Sequence, residues 1–139
     1  MDWASRRVLS WRVSITLDSA SCSDAGEEAL ATYGCATIFT SDQGAQFTSA
    51  AFKGLRRDHG IRLSMHGRGC WRDNLFVERL WRSITYEEAY LHADDSAAAA
   101  KAGIGRYLAL DNPHRPHSSL ADRTPGQAYF TPWPLAVAA

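Results

Sequence analysis

Short apolar blocks separated by polar and glycine-containing turns organise this chain. Residues 7–14 (Arg7-Val8-Leu9-Ser10-Trp11-Arg12-Val13-Ser14) are rich in β-branched and aromatic side chains, which predicts a strand. The adjacent apolar pair Val8-Leu9 predicts cover on both faces. A turn is expected at Ser19 to Ser23, then a helix capped by Asp24 and stopped by Gly34, with Leu30 and Tyr33 on its apolar stripe. Ala36 to Thr40 reads as a short buried strand ending at Ser41-Asp42-Gln43-Gly44. Strand, helix, strand in that order predicts a right-handed crossover and an α/β fold.

Further along, Thr48 or Ser49 predicts a cap for a helix through His59, stopped by Gly60. Ile61 to Met65 alternates apolar and polar, as a short edge strand does. His66 to Cys70 is a glycine-punctuated loop. Asp73 predicts the cap of a helix to about Tyr90, and a second long helix is expected from about Asp95 to Leu110. Asn112 to Phe130 is rich in Pro, His and Ser and predicts an extended, turn-rich wrap.

Composition adds limits. With 139 residues, 45% hydrophobic and 22% charged, one soluble globular domain is expected. Five tryptophans are expected mainly in the core. Cys22, Cys35 and Cys70 form no CxxC pair, which fits a reducing cytoplasm rather than a disulfide framework. No apolar run approaches the ~20 residues of a membrane span, and no signal-peptide pattern opens the chain, so no membrane role is expected. The net charge is zero but unevenly spread. Residues 52–82 hold eight basic and three acidic side chains (net +5), whereas residues 1–51 are net −3 and residues 83–139 net −2. A local positive patch suits phosphate binding, and a solvated basic face has the same composition.

Two carboxylates stand out. Asp42 follows a predicted strand, where ligands gather in open α/β sheets; Asp-Gln-Gly also suits a tight turn. Glu78 belongs to a predicted polar helical row, Asn74-Glu78-Arg82, on another face from the apolar stripe Val77, Leu80, Trp81 and Ile84. An ordinary exposed Glu78–Arg82 pair would give the same row. With 35 residues between them, the two can converge to hold Mg²⁺, a hard cation preferring oxygen ligands. His59, His66 and Cys70 match no common zinc spacing.

The run Ser41-Asp42-Gln43-Gly44-Ala45-Gln46-Phe47-Thr48 resembles the second-aspartate motif of bacterial insertion-sequence transposases with a retroviral-integrase-type core. Gly69 to Arg82, centred on Asp73-Asn74-Leu75-Phe76-Val77-Glu78, resembles their glutamate motif. Arg115-Pro116-His117-Ser118-Ser119-Leu120, followed by Arg123-Thr124-Pro125, resembles their C-terminal signature. The resemblance implies a ribonuclease H-like α/β fold, a two-metal site using Mg²⁺ or Mn²⁺, and cleavage and strand transfer of DNA at transposon ends and target. It implies Asp42 and Glu78 as catalytic, metal-binding carboxylates. It also implies DNA contacts from Arg68, Trp71, Arg72, Asn74, Arg82, Arg115 and His117, and a homo-oligomer for the complete enzyme. Residues 1–130 would form a partial catalytic core, with the signature at 112–130 and a tail at 131–139.

Three departures qualify the resemblance. The family's first catalytic aspartate lies upstream of the stretch resembling Met1-Asp2-Trp3, and Asp2 matches a different position. The core is therefore expected to want its first strand, part of its second and one metal ligand, leaving an open sheet edge and no activity on its own. Thr85 replaces a usual lysine, and Asp111 replaces a usual tyrosine. The alternative is a non-catalytic remnant that binds DNA or self-associates and interferes with an intact transposase.

Overall fold

The computed structural model describes residues 1–16, 18–41, 44, 46–65, 75–89 and 96–131, with backbone only at 65, 88 and 89. The chain forms two compact units, one from Leu9–Arg82 and one from Met1–Val8 with Ser83 onward.

In the Leu9–Arg82 unit, helix α1 (Ser19–Tyr33) starts earlier than Asp24. Asp18 is the cap: its carboxylate accepts from the Ser21 amide at 2.8 Å, satisfying one of the free donors of the first turn. The expected turn at Ser19 to Ser23 is thus helix. At the other end Gly34 (φ +83) stops the helix, and its amide bonds back to the Leu30 carbonyl. Strand β1 (Ile38–Ser41), helix α2 (Ala50–Asp58) and strand β2 (Arg62–Met65) make a β–α–β unit with parallel strands, paired from Ile38↔Arg62 to Ser41↔Met65. Ser49 caps α2, accepting from the Phe52 amide. Phe52 is buried and packs with Phe39 and Phe47 at centroid distances of 5.1 and 5.3 Å. On the neighbouring helix, a Cβ at Gly26 would stand 2.9 Å from the Leu55 side chain, so glycine permits the close approach of α1 and α2.

Residues 7–14 form no strand. Their β-propensity is real, but a strand needs a ladder partner, and propensity supplies none. Helix α3 (Leu75–Ile84) continues as a π-helical turn, Thr85–Ala89. Of its predicted apolar stripe Ile84 is buried, Val77 and Leu80 are half-buried, and Trp81 is exposed. Trp3 is exposed too, so these two tryptophans are not core residues. The predicted loop at His66 to Cys70, the Asp73 cap, and the ends at Tyr90 and Asp95 lie outside the described residues.

In the second unit, helix α4 (Ala97–His114) is capped by Ser96 and runs four residues past the predicted end, through Pro113. Residues 112–130 are not an extended wrap. They hold the helix end, a 3₁₀ turn at Ser118–Leu120 and helix α5 (Pro125–Phe130). Thr124 and Gln127 form a reciprocal capping box with Pro125 at the first helical position.

Asn112 explains how α4 tolerates its proline. Its carboxamide accepts from the Val8 amide and donates to the Val8 carbonyl, both at 3.0 Å. The side chain thus replaces a strand partner for Val8 and holds the helix end, against the usual bias of a pre-proline residue. Gly126 lies beside this clip; a Cβ there would stand 3.0 Å from the Asn112 carbonyl oxygen. Arg7 extends over the Phe130 ring at 4.8 Å.

Candidate functional site

The carboxyl end of β1 is the first element of the site. The parallel pairing with β2 ends at Ser41, whose hydroxyl is buried without a hydrogen-bond partner. Asp42 comes next in sequence and lies outside the described residues, as do Arg68, Trp71, Arg72 and Asn74.

Helix α3 carries Glu78. The residue is exposed, as is Arg82 one turn later. An exposed glutamate on a helix anchored by Ile84 can accept a cation without the desolvation cost of a buried one. Among the described residues, no three His, Cys, Asp or Glu side chains converge as a metal site.

The remaining sequence candidates, Arg115 and His117, enter an ionic cluster in the second unit. Arg115 donates to Glu87 at 2.9 Å and to the Tyr107 hydroxyl at 2.7 Å. Its other carboxylate neighbour is Asp111, at 3.8 Å. His117 Nε2 lies 3.6 Å from the same Asp111 oxygen. Asp111 is only 4% exposed, and burial pushes its carboxyl above the usual range against the pull of His117 and Arg115. The Glu87 hydrogen bond holds Arg115 still more firmly protonated, and burial raises the Tyr107 hydroxyl. Glu87, Tyr107, Leu110, Asp111, His114 and Arg115 line a cleft of about 270 Å³. Both basic candidates therefore already face protein carboxylates.

Three members of this region escaped the sequence reading: Glu87, Asp111 as a buried acid, and Asn112 as a clip. Only Asn112 had a local signal, its place before Pro113 at a helix end.

An integrase core domain profile matches residues 1–70, and a second integrase core profile matches residues 59–125. The chain belongs to the integrase core family. Among curated relatives, transposase InsF of insertion sequence IS3fB from Escherichia coli K12 is 29% identical over 130 residues. That match covers 91% of this chain and 45% of the relative, so the chain spans about half the length of such transposases. Among solved structures, the BIV integrase catalytic core superposes with a TM-score of 0.67 at 20% identity, covering 91% of this chain and 79% of that one. The HTLV-2 integrase catalytic core, solved with magnesium in a trimeric form, gives 0.65 at 20% identity over 86% and 75%. This integrase core thus has the ribonuclease H-like α/β fold, and its sequence relatives are insertion-sequence transposases. Among the described residues, no helix is long and apolar enough to cross a membrane.

Proposed function

We propose that this integrase core belongs to a transposase that cuts and joins DNA with divalent metal ions, Asp42 and Glu78 serving as metal-binding carboxylates. The placement of Glu78 carries the reading: it is exposed on α3, with 35 residues between it and an aspartate that directly follows the β1 strand. Carboxylate oxygens suit Mg²⁺ or Mn²⁺. Two such ions, when bound, stabilise the attacking and leaving oxygens of phosphodiester transfer.

The residues around the pair have separable roles. Arg82, one turn past Glu78, is suited to orient a phosphate. Arg68, Trp71, Arg72 and Asn74 precede Glu78 closely in sequence and are assigned to DNA contact with transposon ends and target. For Arg115 and His117, a phosphate would compete with Glu87 and Asp111, so we give them the weaker share of binding. The complete enzyme would act as a homo-oligomer.

On this reading the family's first aspartate has no counterpart among residues 1–139. These residues alone are therefore expected to bind Mn²⁺ weakly and to give no strand transfer. Calorimetric titration with Mn²⁺ should show binding that Asp42→Asn and Glu78→Gln each remove; retention of binding in both variants would refute the carboxylate assignment. A nicking and strand-transfer assay in Mg²⁺ and in Mn²⁺ checks the rest. Robust turnover by the 139-residue chain, abolished by Asp42→Asn, would show that two carboxylates suffice.

A further inference from the structure

Asp111 has no part in the chemistry proposed above, yet the fold buries it. It is also where the chain departs from the signature it resembles, which has a tyrosine there. The Asp111 side chain is only 4% exposed. Among the described residues, its nearest basic groups are His117 Nε2 at 3.6 Å and Arg115 Nη1 at 3.8 Å, both beyond hydrogen-bond length. His117 Nε2 is itself buried without a hydrogen-bond partner. Arg115 is committed elsewhere, donating to Glu87 at 2.9 Å and to the Tyr107 hydroxyl at 2.7 Å. A buried carboxylate in this state costs stability until a donor satisfies it.

The carboxylate has somewhere to find one. Asp111 is part of the wall of the cleft of about 270 Å³ described above. A water takes up ~30 Å³ in the liquid, so the cleft has room for more than a bridging water. It is smaller than the ~300–1,000 Å³ pockets of drug-sized ligands, which restricts it to small groups.

Charge selects the kind of group. The carboxylates of Glu87 and Asp111 outnumber the one guanidinium, Arg115. Asp111 and His114 also lie in the last turn of α4, at the negative end of its dipole. The site therefore favours a cation. Three acceptors line it: the two carboxylates and the Tyr107 hydroxyl oxygen. A primary ammonium carries three donors. Leu110, 63% exposed, adds an apolar wall on which an alkyl stem can lie.

We propose that this cleft binds a primary alkylammonium group, its head hydrogen-bonded to Asp111 and its stem along Leu110. A free aliphatic amine and the lysine side chain of another protein both offer that chemistry. The proposal does not depend on the metal-site reading, since it uses neither Asp42 nor Glu78.

Titration of the 139-residue chain with n-butylammonium chloride at pH 7.5, followed by chemical-shift changes, tests this. Binding should saturate with a Kd on the order of 1 mM, ordinary for so small a ligand. Asp111→Asn should weaken it about tenfold or more, as loss of a hydrogen bond to a charged group predicts. Butyltrimethylammonium has the same charge and no N–H donor, and it should bind the parent chain more weakly by a similar factor, a control that needs no variant. Lowering the pH to 4 should also weaken binding, because a proton then competes for Asp111. Any proton gained by Glu87, His114 or His117 acts in the same sense, while Arg115 and Tyr107 keep theirs throughout. A capped tripeptide with lysine at its centre separates the two sources: binding equal to that of butylammonium supports a lysine side chain, and binding of butylammonium alone supports a free amine. Absence of saturation by either ligand overturns the proposal. So does an Asp111→Asn variant that binds butylammonium as the parent does, or a parent that binds butyltrimethylammonium equally well.

Discussion

Asp111 and Asn112 are adjacent, yet they stabilise the protein in opposite senses. Asp111 is buried and its carboxyl is raised, first by desolvation. A raised folded-state value means that the folded protein holds the proton more tightly, so stability falls as pH rises from about 4 through that value. At neutral pH the ionised group is a net cost. Asp111→Asn should therefore raise the melting temperature at pH 7 and remove the decline above pH 4, seen in thermal melts from pH 3 to 8. An equal fall in stability across that range would show that its pairing with Arg115 and His117 outweighs desolvation. Asn112 works the other way. Asn112→Ala strips both partners from the buried Val8 backbone, a loss of roughly 1–3 kcal/mol by denaturant titration. Asn112→Asp should recover only the Val8 amide bond and so fall between the two.

The elements divide by whether their signals are local. α2 and β2 were legible, and β1 nearly so, because Ser49, Gly60 and the alternation in Ile61 to Met65 act over a few residues. α1 was only half legible: Asp18 caps it six residues, nearly two turns, earlier than Asp24 would. The C-terminal segment was misread because its Pro, His and Ser content masked a local device, the Thr124–Gln127 capping box. Thr124→Ala should cost about 1 kcal/mol in the same titration. Thr124→Ser, which keeps the hydroxyl, should cost little, and equal losses for both would point to methyl packing instead. Exposure of Glu78 could be read from helical periodicity. The Arg115 cluster could not, because Glu87 lies 28 residues away in sequence and nothing local announces the pairing.

For the molecule as a whole, zero net charge conceals a basic segment at residues 52–82, and function is better judged from that distribution than from the total. The two compact units are nested in sequence, since Leu9–Arg82 falls between the parts of the other. The Val8–Asn112 clip, spanning 104 positions, gives this nesting a temporal meaning. A ribosome adding about 5–20 residues per second needs roughly 5–20 s to make the chain between the two clip residues. Throughout that interval Val8 has no carboxamide to hold it, whereas every residue of the inner unit has been made before Asn112 is added. The inner unit can therefore mature on the growing chain, and Val8 is secured only after Asn112 has been synthesised.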